Sequence, residues 1–492
     1  MKKDEIFFFG VLVSVAGIGW GSFFEWPQTP LYLIGSAFFF AVGAVFRLKN
    51  FFFAGAGMLV FFWSTSLAID QRGIYQGLPA YTEPVSGTVR IVADPEEKDF
   101  FRRTIVRFEH CESQHCPSTD VLWQAPLSFR MPAGARFPFH CRIERPENFS
   151  PDFDYQMFLA KSGIGYVCLK GDAGEQHTMD WPGKLRGWLY IPKHVMERAL
   201  SEVLPEPEAG LSKGLLLGGD AYLPEALKDS FTRVGLSHMI AVSGYNMTLI
   251  AEMFLVVGLA LGLWRKQAIW TALVGIVFFI FMIGMPASAA RAGAMAGIVF
   301  MAFQSGRLVH PVRTLLFAAG VMLFFNPLLL RYDMGFQLSF LATLGILVLM
   351  PYCEYVAPKH RFLKKGFEIL CMTLAVELFV LPLILFSFHT FSPLIIMGNF
   401  LILLVPFAMA TSFVAVLLFL VVPGAQVVIA WSAFVFLTLI TRSVEWLGSW
   451  TAMSVDVVGF GIWHLLCWYA ILGIFVAVIS RVFPPRTYEK EF

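Results

Sequence analysis

Charge is scarce in this sequence of 492 residues: Asp, Glu, Lys and Arg together make up only 15% of it, where soluble domains carry about 25%. With 57% apolar residues and a mean hydropathy of +0.66, that scarcity argues against a freely soluble protein. Neither sign of charge is in large excess. The formal net charge of +2 does not point to a nucleic-acid partner, because membrane proteins collect Lys and Arg in cytoplasmic loops whatever they bind. No G-x-x-x-x-G-K-[ST] stretch occurs, so no P-loop is present to bind ATP. No pair of inverted repeats is visible of the kind that builds many small-solute transporters.

What the sequence has instead is long apolar blocks, each near the roughly 20 residues needed to span a bilayer. Three lie before residue 70: Ile6–Phe24, Leu31–Phe46 and Phe51–Ile69. The first is too long for a signal-peptide core and reads as a span. Lys2, Lys3, Arg47 and Lys49 flank these blocks on one side, which the positive-inside rule makes cytoplasmic, so Asp70 is expected outside. Nine more blocks follow: Met239–Leu263, Ala268–Gly284, Ala289–Phe303, Leu315–Leu330, Met334–Leu349, Phe367–Phe388, Leu394–Leu420, Val427–Trp446 and Val457–Ile479. Nine spans entered from outside put Arg265/Lys266, Arg307/Arg313, Lys359/Arg361/Lys364/Lys365 and the basic tail Arg481/Arg486/Lys489 all inside. Leu394–Leu420 is overlong and carries Pro406, so it reads either as one kinked helix or as two half-helices.

Between Asp70 and Glu208 the composition changes. Alternating apolar and polar runs at Val85–Val92, Thr104–Glu109, Val121–Phe129 and Phe137–Ile143, separated by turn residues such as Pro132-Ala-Gly, predict a small antiparallel barrel or sandwich. Trp188–Leu204 reads as an amphipathic helix returning to the membrane. The expected architecture is a polytopic α-helical membrane protein of about 12 spans with an inserted small all-β domain outside the cytoplasm. Its parts are a three-helix segment 1–69, the β domain with its helix 70–207, a main transmembrane domain 208–480 and a cytoplasmic tail 481–492. Four of the seven cysteines, Cys111, Cys116, Cys141 and Cys168, fall in the external domain, where an oxidising compartment favours disulfides. Cys111 and Cys116 bracket a short hydrophilic tip and are the first expected pair; free thiols, or a zinc site using His110 and His115, are the alternatives. Cys353, Cys371 and Cys467 read as packing residues.

Polar groups inside the spans are costly and usually face the protein interior. The stretch from Gly235 to Thr248 holds His238, Ser243, Asn246 and Thr248, with Gly244 weakening the helix. It reads either as a broken helix beside a water-filled cavity or as close packing through small residues. Arg291 could snorkel to the outer surface or attract an anion. Glu252 and Glu377 fall near the middle of spans and are expected to face away from lipid, either paired or on a polar pathway. Gln337, Ser339 and Asn399 can hydrogen-bond between helices, and His464 reads as a satisfied interior histidine.

At these residues the sequence resembles the ComEC family, inner-membrane DNA channels of bacterial natural competence. His238-Met-Ile-Ala-Val-Ser-Gly-Tyr-Asn-Met is similar to that family's H-[LM]-[LI]-A-[IV]-S-G-L-H-[VI] signature. Gly218-Gly-Asp220 with Leu223-Pro, Ser288-Ala-Ala-Arg291-Ala, Asn326-Pro327 followed by Gly335-Phe-Gln-Leu-Ser-Phe-Leu-Ala-Thr-Leu-Gly345, and Ser392-Pro-Leu with Gly398-Asn399 and Pro406 resemble further family motifs. Pro146-Glu-Asn-Phe, Phe153-Asp-Tyr155, Phe158-Leu-Ala and Gly163-Ile164 look like the end of the family's OB-type domain. The resemblance runs from about Pro84 to Pro406. It departs at Asn246, where the family has a histidine, so a titrating role is not expected there. Many members also continue into a metallo-β-lactamase-like domain, yet no H-x-H-x-D-H cluster occurs in this sequence.

The resemblance implies a channel that carries single-stranded DNA into the cytoplasm, rather than an enzyme, with no cofactor. It also implies a periplasmic DNA-binding competence protein, a cytoplasmic helicase and a separate nuclease as partners. His238, Ser243, Gly244, Asn246 and Arg291 are the first candidates to line the DNA path; Gln337, Ser339 and Asn399 come second, with Glu252 and Glu377 as further polar positions. OB folds commonly bind single strands by stacking over a basic groove. Here Arg102, Arg103 and Arg107 would have to supply one, or else form a solvated strand face. Two other classes are a small-solute permease and an intramembrane hydrolase with Ser243 as nucleophile and His464 as base.

Overall fold

The computed structural model describes residues 3–23, 49–98, 100–112, 116–149, 153–174, 178–240, 244–304, 310–358, 360–422, 426–450, 455–457 and 459–482. The expected span Leu31–Phe46 and the candidate Ser243 lie outside them. The described chain divides into two compact units, one of residues 1–191 with 294–337, the other of 192–293 with 338–492. This grouping cuts across the divisions at 69 and 207 read from the sequence, because helix Pro311–Phe325 belongs with the N-terminal helices.

In the first unit, helix Lys3–Phe23 lies against helix Lys49–Gln76 through Gly17 and Gly21, whose missing side chains let the Phe61 and Thr65 carbonyls approach. Thr65 Oγ1 donates to the Gly17 carbonyl at 3.0 Å, which satisfies a hydroxyl at this close contact. The second of these helices runs seven residues past Ile69, with Arg72 buried and donating to the Ser22 carbonyl. A guanidinium with a carbonyl partner does not need to leave the protein, so the helix does not end where the apolar block does.

Seven strands follow: β1 Val85–Ile91, β2 Glu96–Glu97, β3 Arg102–Cys111, β4 Asp120–Ala125, β5 Arg136–Cys141, β6 Ile164–Cys168 and β7 Gly171–Ala173. β1 pairs antiparallel with both β3 and β5, β3 pairs antiparallel with β4, and β4 pairs parallel with β6. Reciprocal backbone bonds between Glu144 and Val167, both 2.9 Å, tie the chain after β5 to β6 and bend the sheet into a half-barrel. Alternate residues point inward, so Val89, Ile91, Val106, Trp123, Phe137, Phe139 and Tyr166 form its core. Helix Tyr155–Ala160 covers the outer side of β4 and β6, where Leu122, Leu159 and Ile164 make a second small cluster. Disulfides join Cys111 to Cys116 and Cys141 to Cys168. The zinc alternative fails for Cys111 because its sulfur is already bonded.

Six helices are long and apolar enough to cross a membrane: Arg265–Met282, Met334–Val356, Gly366–Phe388, Ile395–Val421, Val428–Gly448 and Ile462–Val482. Shorter apolar helices occupy Phe9–Phe23, Asn246–Ala260 and Pro311–Phe325. The expectation of about 12 spans therefore exceeds the six that qualify among the described residues. The block expected at Ala289–Phe303 falls in the Ala- and Gly-rich helix Ala287–Gln304, which is not one of the six. Segment 395–421 resolves the choice left open by Pro406: a single helical run with a 3₁₀ stretch, Asn399–Leu404, leading into helix Val405–Val421. Pro406 sits in that helix's first turn, where a missing N–H costs nothing. In the second unit, helices Glu208–Leu217, Glu225–Val234, Val405–Val421 and Gln426–Gly448 share one apolar core that includes Leu211, Phe231, Met409 and Leu437.

Candidate functional site

Helix Glu225–Val234 ends at Gly235, and the stretch that carries the signature continues through the short helix Ser237–Ile240 and, beyond the undescribed residues 241–243, helix Gly244–Ala260. Gly235, at φ +82°, ends the preceding helix in a left-handed turn, with Leu236 N–H bonded to the Phe231 carbonyl at 2.8 Å. Segment 392–399 is seated on this turn. Ser392 Oγ donates to the Arg233 carbonyl. A Cβ on Gly235 would stand 3.2 Å from Ile395, and one on Gly398 only 2.8 Å from Val234. On another side, a Cβ on Gly214 would lie 3.0 Å from Ile240, and Asn246 Nδ2 donates to the Leu215 carbonyl at 3.4 Å. Three segments distant in sequence, around 214–215, 233–240 with Asn246, and 392–398, thus meet at one junction. Glycine at 214, 235 and 398 leaves room for the side chains of Ile240, Ile395 and Val234.

Asn246 is buried within the junction, whereas His238 is exposed and donates Nδ1–H to the Gly235 carbonyl at 3.2 Å. Gly244 opens the longer helix. Arg291 is 3% exposed, so it does not snorkel; its guanidinium lies 5.4 Å from the centre of the Phe340 ring. Such a contact is worth roughly 0.5–2 kcal/mol. Asn399 Nδ2 donates to Thr373 Oγ1 at 3.1 Å, while its Oδ1 is buried with no hydrogen-bond partner among the described residues. Glu377 is one helical turn from Thr373 and half-buried. Glu252 departs from expectation: it is on the exposed side of helix Gly244–Ala260. His464 is exposed, and its Nδ1 accepts the Gly461 N–H at 3.2 Å.

Gln337 belongs to a different constellation, in the first unit. Its Nε2 donates to the carbonyls of Leu330 at 2.7 Å and Arg331 at 3.0 Å, bracing the short helix Leu329–Tyr332. Nearby, Asn326 Nδ2 donates to the Lys161 carbonyl at 2.7 Å, and Lys161 Nζ is 3.3 Å from Asp333 Oδ2 and 4.0 Å from the Phe158 ring. Burial lowers the Lys161 pKa, partly countered by Asp333. The Asn326-Pro and Gly335-Phe-Gln motifs therefore tie themselves to the Phe158–Gly163 motif of the barrel. Ser339 is half-buried, and its carbonyl accepts from Thr343 Oγ1 at 2.8 Å.

The arginines suggested for a basic groove are largely matched by acids. Arg107 makes a two-point contact with Asp120, at 2.5 and 2.9 Å, and Arg102 pairs with Glu97 at 2.6 Å. Sequence reasoning missed three further charge groups. Arg90 and Arg136 share Glu109 and Asp180, at distances of 2.5–3.1 Å. Tyr222 Oη donates to Glu197 Oε1 at 2.5 Å. Buried Glu208 accepts from Thr438 at 2.8 Å. Only Tyr222 carried a signal, through its place just after Gly218-Gly-Asp220.

A half-barrel joined to long apolar helices, with polar junctions where glycines leave room for neighbouring side chains, defines a helical membrane protein with an inserted β domain. The model of the competence protein family matches residues 215–482, more than half of the chain, and the chain belongs to that family. It is similar to ComE operon protein 3 of Bacillus subtilis (strain 168), 25% identical over 219 residues that cover 44% of this chain and 27% of the relative. It is also similar to an uncharacterized protein of Aquifex aeolicus (strain VF5), 29% identical over 162 residues, 32% of this chain and 38% of the relative. In both cases the match spans well under half the length of the curated relative. No solved structure matches the chain.

Proposed function

We propose that the protein is a plasma-membrane channel that passes single-stranded DNA into the cytoplasm during competence. The observation that carries this reading is the polar junction at which Gly214 and Leu215, the turn at Gly235 with Asn246, and segment 392–399 meet, in a chain of the competence family. A polyanion crossing hydrocarbon needs donors and positive potential along its whole route, and irregular backbone within a membrane is tolerated only beside protein or water. His238, Ser243, Gly244 and Asn246 would line the route, with Arg291 supplying charge; Gln337, Ser339, Asn399, Glu252 and Glu377 would be secondary. In this reading the β domain is OB-type and extracytoplasmic, the C-terminus is cytoplasmic, about 12 spans are crossed, and no catalytic step is performed. A surface DNA-binding protein, a helicase and a nuclease would work with it.

The test is to stall DNA in transit by a bulky block at its trailing end, with a photo-crosslinking amino acid in place of His238 or of Val435, which is on an exposed apolar face. Crosslinks to DNA at 238 and none at 435 are expected. Crosslinks at 435 alone would contradict the route.

A further inference from the structure

Helix Trp181–Val203 presents a face that neither the barrel nor the proposed DNA route uses. Trp181, Leu185 and Trp188 are 77%, 52% and 61% exposed, with Ile191 beside them at 51%. At 3.6 residues per turn, the first three stack along one side. The opposite side is fixed to the barrel: a Cβ on Gly183 would stand 2.5 Å from the Gly134 carbonyl, one on Gly187 would stand 3.4 Å from that of Ala133, and Tyr190 packs on the barrel core. The exposed stripe is therefore not a core face turned the wrong way. In its first three turns the charges have one sign: Lys184 and Arg186 fall between residues 181 and 192, and no Asp or Glu does. Past Pro192 the helix borders an apolar cleft. Pro192, Val195 and Met196 line a cleft of about 270 Å³ with Leu216, Ile250 and Phe413, and every residue lining it is apolar.

We infer that this helix lies in the plane of the membrane surface and binds anionic phospholipid. Its Trp and Leu stripe would sit at the boundary of headgroups and acyl chains, and Lys184 and Arg186 would reach the phosphates. Tryptophan prefers that depth, because its ring is apolar and its N–H is polar. An amphipathic helix with a cationic rim gains from both burial and headgroup charge. The barrel, held to the helix, would thereby be fixed at the surface of the bilayer.

The experiment uses the full chain reconstituted in vesicles, with Cys353→Ala, Cys371→Ala and Cys467→Ala removing the free thiols. A fluorophore is placed at Leu185→Cys or, on another side of the helix, at His194→Cys. With phosphatidylcholine and phosphatidylglycerol mixed, the probe at 185 should lose fluorescence to a lipid carrying a nitroxide high on its acyl chain and resist aqueous iodide; the probe at 194 should do the reverse. Lipid quenching at 185 should weaken in phosphatidylcholine alone, and Lys184→Glu with Arg186→Glu should abolish that difference. Iodide quenching at 185 would overturn the inference. So would shielding from both quenchers, which would mean that a protein surface covers the stripe. Equal quenching with and without phosphatidylglycerol would overturn the preference for anionic lipid. In the unaltered protein, a phospholipid with a photoreactive group near its headgroup should label residues 181–192, and absence of that label would count against the inference.

Discussion

At the residue scale, two buried charge contacts give direct expectations. Lys161 and Asp333 are each only slightly exposed, so Asp333→Asn strands a buried ammonium and also weakens the bond from Phe336 N–H that Asp333 Oδ1 accepts at 3.1 Å. Breaking one side of a buried pair costs about 3 kcal/mol. The unfolding midpoint of the purified protein should fall, and Lys161→Met together with Asp333→Asn should recover part of it. No drop in the single variant would show that the pair contributes nothing. Glu197 carries a pH dependence. Burial raises its pKa, but hydrogen bonds from His194 and Tyr222 and the charge of Lys193 outweigh burial and hold it below the usual carboxylate value of 4.5. A depressed carboxylate contributes stability above its unfolded-state pKa and loses it as pH falls through the folded-state value. The contact between helix Trp181–Val203 and the loop at Tyr222 should therefore loosen below about pH 4.5. Thermal unfolding at neutral and acid pH should show a smaller acid loss in Glu197→Gln than in the unaltered protein; equal losses would remove Glu197 from the explanation.

At the element scale, the strands show what periodicity can and cannot reveal. β1, β3 and β5 alternate inward and outward residues, and the runs read from the sequence lie within two residues of them at nearly every end. β4 ends at Ala125, earlier than expected, because Pro126 cannot donate to a ladder. β6 was visible only as part of a family motif. It pairs parallel to β4 and is covered on both sides, so Ile164-Gly-Tyr-Val-Cys168 has no polar face to alternate with. The burial of Asn246 was legible from its place as a polar residue in an apolar block, but the role of Gln337 was not. Its carboxamide braces carbonyls six and seven residues back in the chain, a local contact that no spacing rule announces. The disulfides also differ at this scale. Cys141–Cys168 closes a loop of 27 residues and Cys111–Cys116 one of five. By loop-closure entropy the first should contribute about 3.5 kcal/mol and the second about 2 kcal/mol. Paired Cys→Ser replacements, compared by the denaturant midpoint of the barrel, should rank in that order; the reverse ranking would contradict it.

At the scale of the whole molecule, the central proposal is that the buried charge of Arg291 and the buried amide of Asn246 serve DNA transit rather than packing alone. Arg291 and Asn246 are both buried, where a charge or amide acts through a low dielectric and removing it is felt strongly by a passing phosphate. The direct measurement is uptake of labelled DNA in cells carrying Arg291→Ala, Arg291→Lys or Asn246→Ala, with the membrane level of each variant matched to the unaltered protein. DNA should still bind at the cell surface. Its entry to the cytoplasm should fall by at least about tenfold in Arg291→Ala, the equivalent of 1.4 kcal/mol on the barrier, with partial recovery in Arg291→Lys if a point charge suffices. Normal entry in well-expressed Arg291→Ala and Asn246→Ala would contradict the claim, and loss of the protein itself, with entry per molecule unchanged, would assign both residues to packing.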